Sequence, residues 1–156
     1  MVGAVAIWGA GAMAQPSSRG AELFLLLGPE GDDAAALSLT LDEALDPSAF
    51  AVRDAAMATP LHRAAEVSRD PELIAAMVAR GADVEARDAQ GRTPLAWARG
   101  NPVAAAALIA AGADACEPDV AGRPALGAAT LEAIRREAPD GYVAARAAFL
   151  GCLSRW

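Results

Sequence analysis

An internal repeat constrains the fold of this chain more than any other feature of its sequence. The letters RD and TPL at positions 53 and 59 recur at positions 87 and 93, a shift of 34 residues. The tripeptide GAD at position 81 recurs at position 112, and GR at position 91 recurs at position 122, both shifted by 31. A weaker copy ends in Ala44-Leu45-Asp46-Pro47. Self-similarity at such periods predicts similar units stacked side by side, each completing the core of its neighbour.

Each copy is typical of two short helices followed by a projecting hairpin. Thr59 and Thr93 are suited to cap a helix, since a proline follows each of them at the first helical position. Gly81 and Gly112 are placed to end the second helix of their units. The segment 82–92 is polar and rich in turn residues, so we expect it to project as a hairpin. The alanine-rich composition favours closely packed helices.

These residues resemble the ankyrin-repeat pattern GxTPLHxAA…LLxxGADVNAxD. The pattern is nearly intact in residues 54–88, recognisable in 88–116 and 119–153, and degenerate in about 18–50. The resemblance implies an all-α repeat solenoid of about four ankyrin repeats, with degenerate first and last caps. Its repeats would span about 18–50, 54–86, 88–116 and 119–153 of a domain covering residues 15–156. Met57 replaces the expected hairpin glycine, which predicts a distorted turn.

His62 is the only histidine in the chain. A metal site needs further His or Cys ligands, and a catalytic base needs a nucleophile and an orienting carboxylate. The sequence around His62 singles out neither. The resemblance implies an inward-facing ring that hydrogen-bonds the backbone and the threonine, so we interpret His62 as structural.

Charge and the first fourteen residues bear on the location and the partners. The net charge of −7 argues against nonspecific nucleic-acid binding. Residues 1–14 are apolar, end in Ala12-Met13-Ala14 and are too short to span a bilayer, which is typical of a cleaved signal peptide despite the missing basic region. We therefore expect a periplasmic or secreted protein without stable membrane insertion. A buried amino-terminal strand or helix in a cytoplasmic adaptor is the alternative.

The two cysteines, Cys116 and Cys152, are 36 positions apart. Cys116 lies at the root of the last predicted hairpin, and Cys152 follows the last predicted helix, residues 142–150. In a stacked repeat the end of an outer helix lies beside the hairpin root of its neighbour, so the two sulfurs could meet. An even cysteine count in an exported protein favours a disulfide. Two reduced thiols, or a thiol-dependent redox role, are the alternatives.

The resemblance implies that partners bind to hairpin tips and to the concave surface of the inner helices. Carried over residue by residue, it selects nine positions: Arg53, Arg63, Glu66, Arg87, Gln90, Arg92, Trp97, Arg99 and Arg123. Guanidinium groups suit an acidic partner, since they donate bidentate hydrogen bonds to carboxylates. These arginines could equally be solvated or paired with Asp54, Asp88 and Asp119, and Trp97 could pack between helices.

The function that follows is a non-catalytic protein–protein interaction module. We expect a monomer without cofactor or metal, which binds a protein whose identity the sequence does not give. Four hairpin arginines, Arg53, Arg87, Arg92 and Arg123, are predicted to form a stripe that contributes to partner capture and little to folding.

Overall fold

Six α-helices lie in the part of the chain that the structure, a computed structural model, describes, namely residue 27 and residues 47–155. They are α1 (Pro60–Val67), α2 (Pro71–Ala79), α3 (Pro94–Trp97), α4 (Pro102–Ala110), α5 (Ala128–Glu137) and α6 (Pro139–Leu153). Short 3₁₀ helices cover Pro47–Ala51 and Ala98–Gly100. No helix of these residues is long and apolar enough to cross a membrane. The predictions for residues 1–14, and for nearly all of the first repeat, lie outside the described residues.

Proline and small polar residues begin most of these helices. All helices except α5 begin at a proline, whose missing N–H would be unpaired there in any case. The Thr93 side chain accepts a hydrogen bond from the Ala96 N–H at the start of α3, and the Asn101 side chain accepts one from Ala104. Gly81 and Gly112 follow α2 and α4 with φ of 102° and 100°, the left-handed conformation that ends a helix.

The helices stack in two rows. The inner helix α1 contacts α3, and the outer helices α2, α4 and α6 contact one another in that order. The core between them combines large buried side chains, such as Leu61, Met77 and Leu108, with fully buried alanines. Two outer helices approach closely at Gly141, where an added Cβ would lie 2.6 Å from the Cβ of Ala106. The all-α repeat solenoid expected from the sequence is confirmed.

Three successive hairpins begin with an aspartate and share one set of hydrogen bonds. The carboxylate of Asp88 accepts backbone N–H bonds from Gln90 and Arg92, two and four residues later. Asp54 and Asp119 accept bonds from the equivalent positions of their own hairpins. Neighbouring hairpins are also joined directly, since the Ala89 N–H donates to the Ala56 carbonyl and the Val120 N–H to the Gln90 carbonyl, at 2.9 and 3.2 Å.

The expectation of a distorted turn at Met57 is wrong. Met57 has φ of 59°, close to the 68° and 72° of Gly91 and Gly122 at the same position of the next two hairpins. Its N–H donates to the Asp54 carbonyl, as the N–H of each of those glycines donates to its own aspartate. The shared hydrogen bonds thus hold a residue with a side chain in the left-handed conformation, which costs conformational energy.

The last outer helix is longer than the sequence indicated. We expected it over residues 142–150, and it runs from Pro139 to Leu153. Near its end, Cys152 forms a disulfide with Cys116 at the root of the third hairpin, with Cα atoms 5.0 Å apart. A closed loop of this length stabilises a fold by about 4 kcal/mol in the chain-entropy model. The disulfide therefore fixes the terminal helix to the unit before it.

Replacing Met57 with Gly should stabilise the protein by about 1 kcal/mol, because glycine adopts the left-handed conformation without the Cβ penalty. Urea unfolding of the two proteins measures the difference. Gly122→Ala is the matched control: its φ is also positive and its added Cβ meets no atom within 4 Å, so it should destabilise by a similar amount. A loss of stability in Met57→Gly would contradict this reading of the turn.

Candidate functional site

The hairpins and the inner helices form one exposed surface, which we call the hairpin face. It is defined by seven residues: Arg53, Arg63, Arg87, Gln90, Arg92, Trp97 and Arg123. The side chains of Arg63 and Arg92 are 39% and 31% exposed, and Arg53 and Arg87 are exposed. Trp97 is half-buried. The structure therefore brings residues that are up to 70 positions apart in the sequence onto one surface.

His62 lies beneath this face as part of the framework. It is fully buried. Its Nδ1 lies 3.1 Å from the Thr59 backbone nitrogen and 2.9 Å from Thr59 Oγ1, and its Nε2 lies 3.0 Å from the Arg92 carbonyl oxygen. An Nδ1 that accepts the Thr59 N–H leaves the proton on Nε2, which then donates to Arg92. The ring thereby ties the start of α1 to the next hairpin. Burial lowers the pKa of His62 from its usual 6.5, so the neutral ring is favoured.

Asp88 organises the centre of the hairpin face. Its Oδ2 accepts hydrogen bonds from Arg92 Nε at 2.7 Å and from Trp97 Nε1 at 2.8 Å, in addition to the two backbone bonds to Oδ1. Burial by itself raises the pKa of Asp88, but the hydrogen bonds from Arg92, Trp97 and Gln90 outweigh it, and the net pKa is lowered. A buried carboxylate that accepts this many hydrogen bonds stays ionised and holds its donors in place.

Arg53 and Arg87 join neighbouring hairpins, so both have contacts within the fold that the sequence did not predict. Arg53 Nη1 donates to the carbonyls of Met57 in its own hairpin and Arg87 in the next, both at 2.7 Å. Arg87 Nη1 lies 3.4 Å from the carbonyl oxygens of Gly91 and Pro118, and Arg87 also pairs with Glu117. The stripe of four arginines predicted from the sequence is therefore partly a structural element.

The remaining selected residues have separate environments. Arg123 pairs with Asp119 and keeps 62% of its side chain exposed. Arg99 lies in the 3₁₀ turn after α3 and donates to the Pro124 carbonyl at 2.7 Å, so it links the face to the third hairpin. Gln90 is exposed at a hairpin tip. Glu66 is exposed and lies 3.4 Å from Arg63.

Two ion pairs of the hairpin face expose their guanidinium groups and bury their carboxylates, in a chain with a net charge of −7. The side chains of Asp88 and Asp119 are each 1% exposed, whereas those of their partners Arg92 and Arg123 are 31% and 62% exposed. Each pair therefore hides its carboxylate and presents its guanidinium. Backbone hydrogen bonds from Arg123, the largest cause, help to lower the pKa of Asp119, so this hidden carboxylate stays ionised.

Sequence reasoning treated the hairpin aspartates only as charges that could neutralise the arginines. Their organising role was accessible from the repeat, since Asp54, Asp88 and Asp119 occupy one repeat position. Asn101 was missed as well. Its buried side chain donates to the Ala65 and Ser68 carbonyls of the preceding unit. The repeat marks this position only as a helix start, since Asn101-Pro102 lies 31 positions after Asp70-Pro71.

Asp114 lies beside the disulfide. The potential ligand atoms of Asp114, Cys116 and Cys152 are within 4.8 Å of one another. Both sulfurs belong to the disulfide, and a metal would need them as thiolates. In this state the cluster offers a metal one carboxylate, and Asp114 instead pairs with Arg155 at 3.3 Å.

The comparison with protein families agrees with the fold. The family model described as Ankyrin repeat matches residues 58–89. This stretch contains α1, α2 and the start of the second hairpin. None of the curated proteins matches the chain.

Replacing His62 with Ala should lower stability by roughly 1–3 kcal/mol, because buried hydrogen-bonding groups lose their partners. It should also remove a pH dependence. Since the folded pKa of His62 lies below 6.5, the unfolded chain gains a proton first as the pH falls below that value, and the wild type loses stability there. Urea unfolding at pH 7.5 and 5.5 measures both effects, and other titrating groups are common to the two proteins. If lowering the pH from 7.5 to 5.5 reduced the stability of both proteins equally, the lowered pKa assigned to His62 would be contradicted.

Proposed function

This chain is an ankyrin-repeat protein, and we propose that it is a non-catalytic module that holds a protein partner on its hairpin face. Ankyrin repeats generally mediate protein–protein interaction. The observation that supports this surface is the display of arginines around a half-buried tryptophan, since such residues are enriched where binding energy concentrates. The partner contacts are assigned to hairpin tips and inner helices, and the outer helices support them.

The charge of the hairpin face favours an acidic partner. Because the carboxylates of Asp88 and Asp119 are hidden while Arg92 and Arg123 are exposed, an approaching acidic surface meets guanidinium groups first. Exposed ion pairs contribute about 0–1 kcal/mol each. Together they act mainly on the association rate, which falls as salt is added.

The module is proposed to act outside the cytoplasm. Two features support this: the apolar segment 1–14 and the disulfide between Cys116 and Cys152. The amino-terminal residue of the protein isolated from its own cell decides between export and the cytoplasmic alternative. A mature chain beginning at Gln15 supports export, and a retained Met1 with two reduced cysteines contradicts it.

Site-specific photo-crosslinking in the native cell tests the binding surface. A photoreactive amino acid at Gln90, on the hairpin face, should give one defined protein adduct whose yield decreases as salt is raised. The same group at Glu72, an exposed residue of the outer helix α2, is the matched control and should give none. Adducts from Glu72 alone, or equally from both positions, would contradict the proposed surface.

A further inference from the structure

Two guanidinium groups lie against one indole at the centre of the hairpin face. The Cζ atoms of Arg63 and Arg92 are 5.3 and 5.0 Å from the ring centroid of Trp97. The indole itself is fixed, because its N–H donates to Asp88 and the ring of His62 contacts it edge-on at 5.4 Å. Three side chains from one inner helix, the next hairpin and the next inner helix therefore form a single cationic cluster, the Arg63–Trp97–Arg92 cluster.

Arg63 has one sheltered and one exposed acidic partner. Its Nη2 lies 3.1 Å from Oδ2 of Asp54, whose side chain is 20% exposed and serves the first hairpin. Its Nη1 lies 3.4 Å from Oε2 of Glu66, whose side chain is 50% exposed. Glu66 makes a long, solvated contact of a kind that contributes little to stability. The contact on the Glu66 side of the guanidinium is therefore the more easily replaced of the two.

We propose that the Arg63–Trp97–Arg92 cluster anchors one carboxylate side chain of an acidic peptide segment, and that Glu66 occupies this position in the free protein. The inference rests on the proposed function and names the chemistry of its partner. A carboxylate matches the planar donor geometry of a guanidinium. The indole excludes water from one side of such a pair, and Trp and Arg are the residues that most often dominate an interface.

Nucleic acid fits this site less well than an acidic peptide. Single-stranded nucleic acids gain much of their affinity by stacking bases on exposed aromatic rings. Here two guanidinium groups already lie over the Trp97 ring. A phosphate backbone also needs a long basic track, whereas the chain as a whole carries a net −7.

Glu66 provides the sharpest test, since the proposal makes it a competitor of the ligand. The probe is a short poly-L-glutamate titrated calorimetrically into the full chain. Glu66→Gln should tighten binding about two- to fivefold, the range that corresponds to losing one exposed ion pair. Glu132→Gln is the matched control, because Glu132 forms an exposed i,i+3 pair with Arg135 on α5. It changes the net charge equally and should leave the affinity nearly unchanged.

A double-mutant cycle assigns the effect to Arg63. Arg63→Gln should weaken binding of poly-L-glutamate. The double variant, which also carries Glu66→Gln, should bind no more tightly than Arg63→Gln alone. Urea unfolding verifies that this variant is folded, and Arg135→Gln is its control. If Glu66→Gln and Glu132→Gln changed the affinity for poly-L-glutamate equally, the affinity would follow the net charge of the protein and not this site. Weaker binding in Glu66→Gln would make Glu66 a direct partner contact instead of a competitor. Either result overturns the proposal.

The two experiments test the carboxylate anchor and the interaction surface separately. If the chain does not bind poly-L-glutamate, or binds single-stranded DNA more tightly, the carboxylate anchor is wrong. The formation of an adduct at Gln90, as distinct from the salt dependence of its yield, reports on the hairpin face whatever the partner's charge. A Gln90 adduct without poly-L-glutamate binding would keep the interaction surface and reject the anchor.

Discussion

The structure depends most on one interaction, the pair of backbone hydrogen bonds that an aspartate carboxylate accepts at the start of each hairpin. Asp88 and Asp119 are buried, and Asp54 is half-buried. In the second hairpin, Oδ1 of Asp88 orders the turn through two backbone N–H groups, and Oδ2 receives Arg92 and Trp97. Taking a carboxylate out of water is costly unless its lone pairs are satisfied. Because the donors to Asp88 include the side chains of the hairpin face, the group that stabilises the turn also positions the residues available to a partner.

Side chains that act within one unit also hydrogen-bond to the next unit. His62 reaches the carbonyl of Arg92 in the following hairpin, and Arg53 reaches the carbonyl of Arg87. Backbone bonds between hairpin tips run parallel to these side-chain links. Each unit therefore forms some of its hydrogen bonds with its neighbour, as expected of repeats that cannot fold alone. Arg53 and Arg87 thus make contacts within the fold while they stay exposed to solvent, so substitutions there need a folding control.

The sequence predicted the backbone well and the side-chain partners less well. The recurring Thr-Pro-Leu and Gly-Ala-Asp segments located the helix starts and ends, because caps and left-handed glycines act locally. The bonds of Arg53 and Arg87 to the next hairpin could not be predicted, since their acceptors are 34 and 31 positions away. The turn at Met57 escaped prediction for a related reason. Local preference argued for glycine, and the Asp54 hydrogen bonds hold methionine there instead.

Comparison of Asp88→Asn with Asp119→Asn is the most direct test of whether the Asp88 carboxylate builds the hairpin face. Both substitutions remove one negative charge from a hairpin, so long-range electrostatics alone predicts tighter binding of an acidic peptide in both. Only Asp88 accepts the Trp97 N–H. We therefore expect Asp88→Asn to weaken poly-L-glutamate binding and to remove the protection of the Trp97 indole proton from hydrogen exchange. Asp119→Asn should do neither. Tighter binding in Asp88→Asn, with an indole proton as protected as in the wild type, would contradict the claim that this carboxylate builds the binding face.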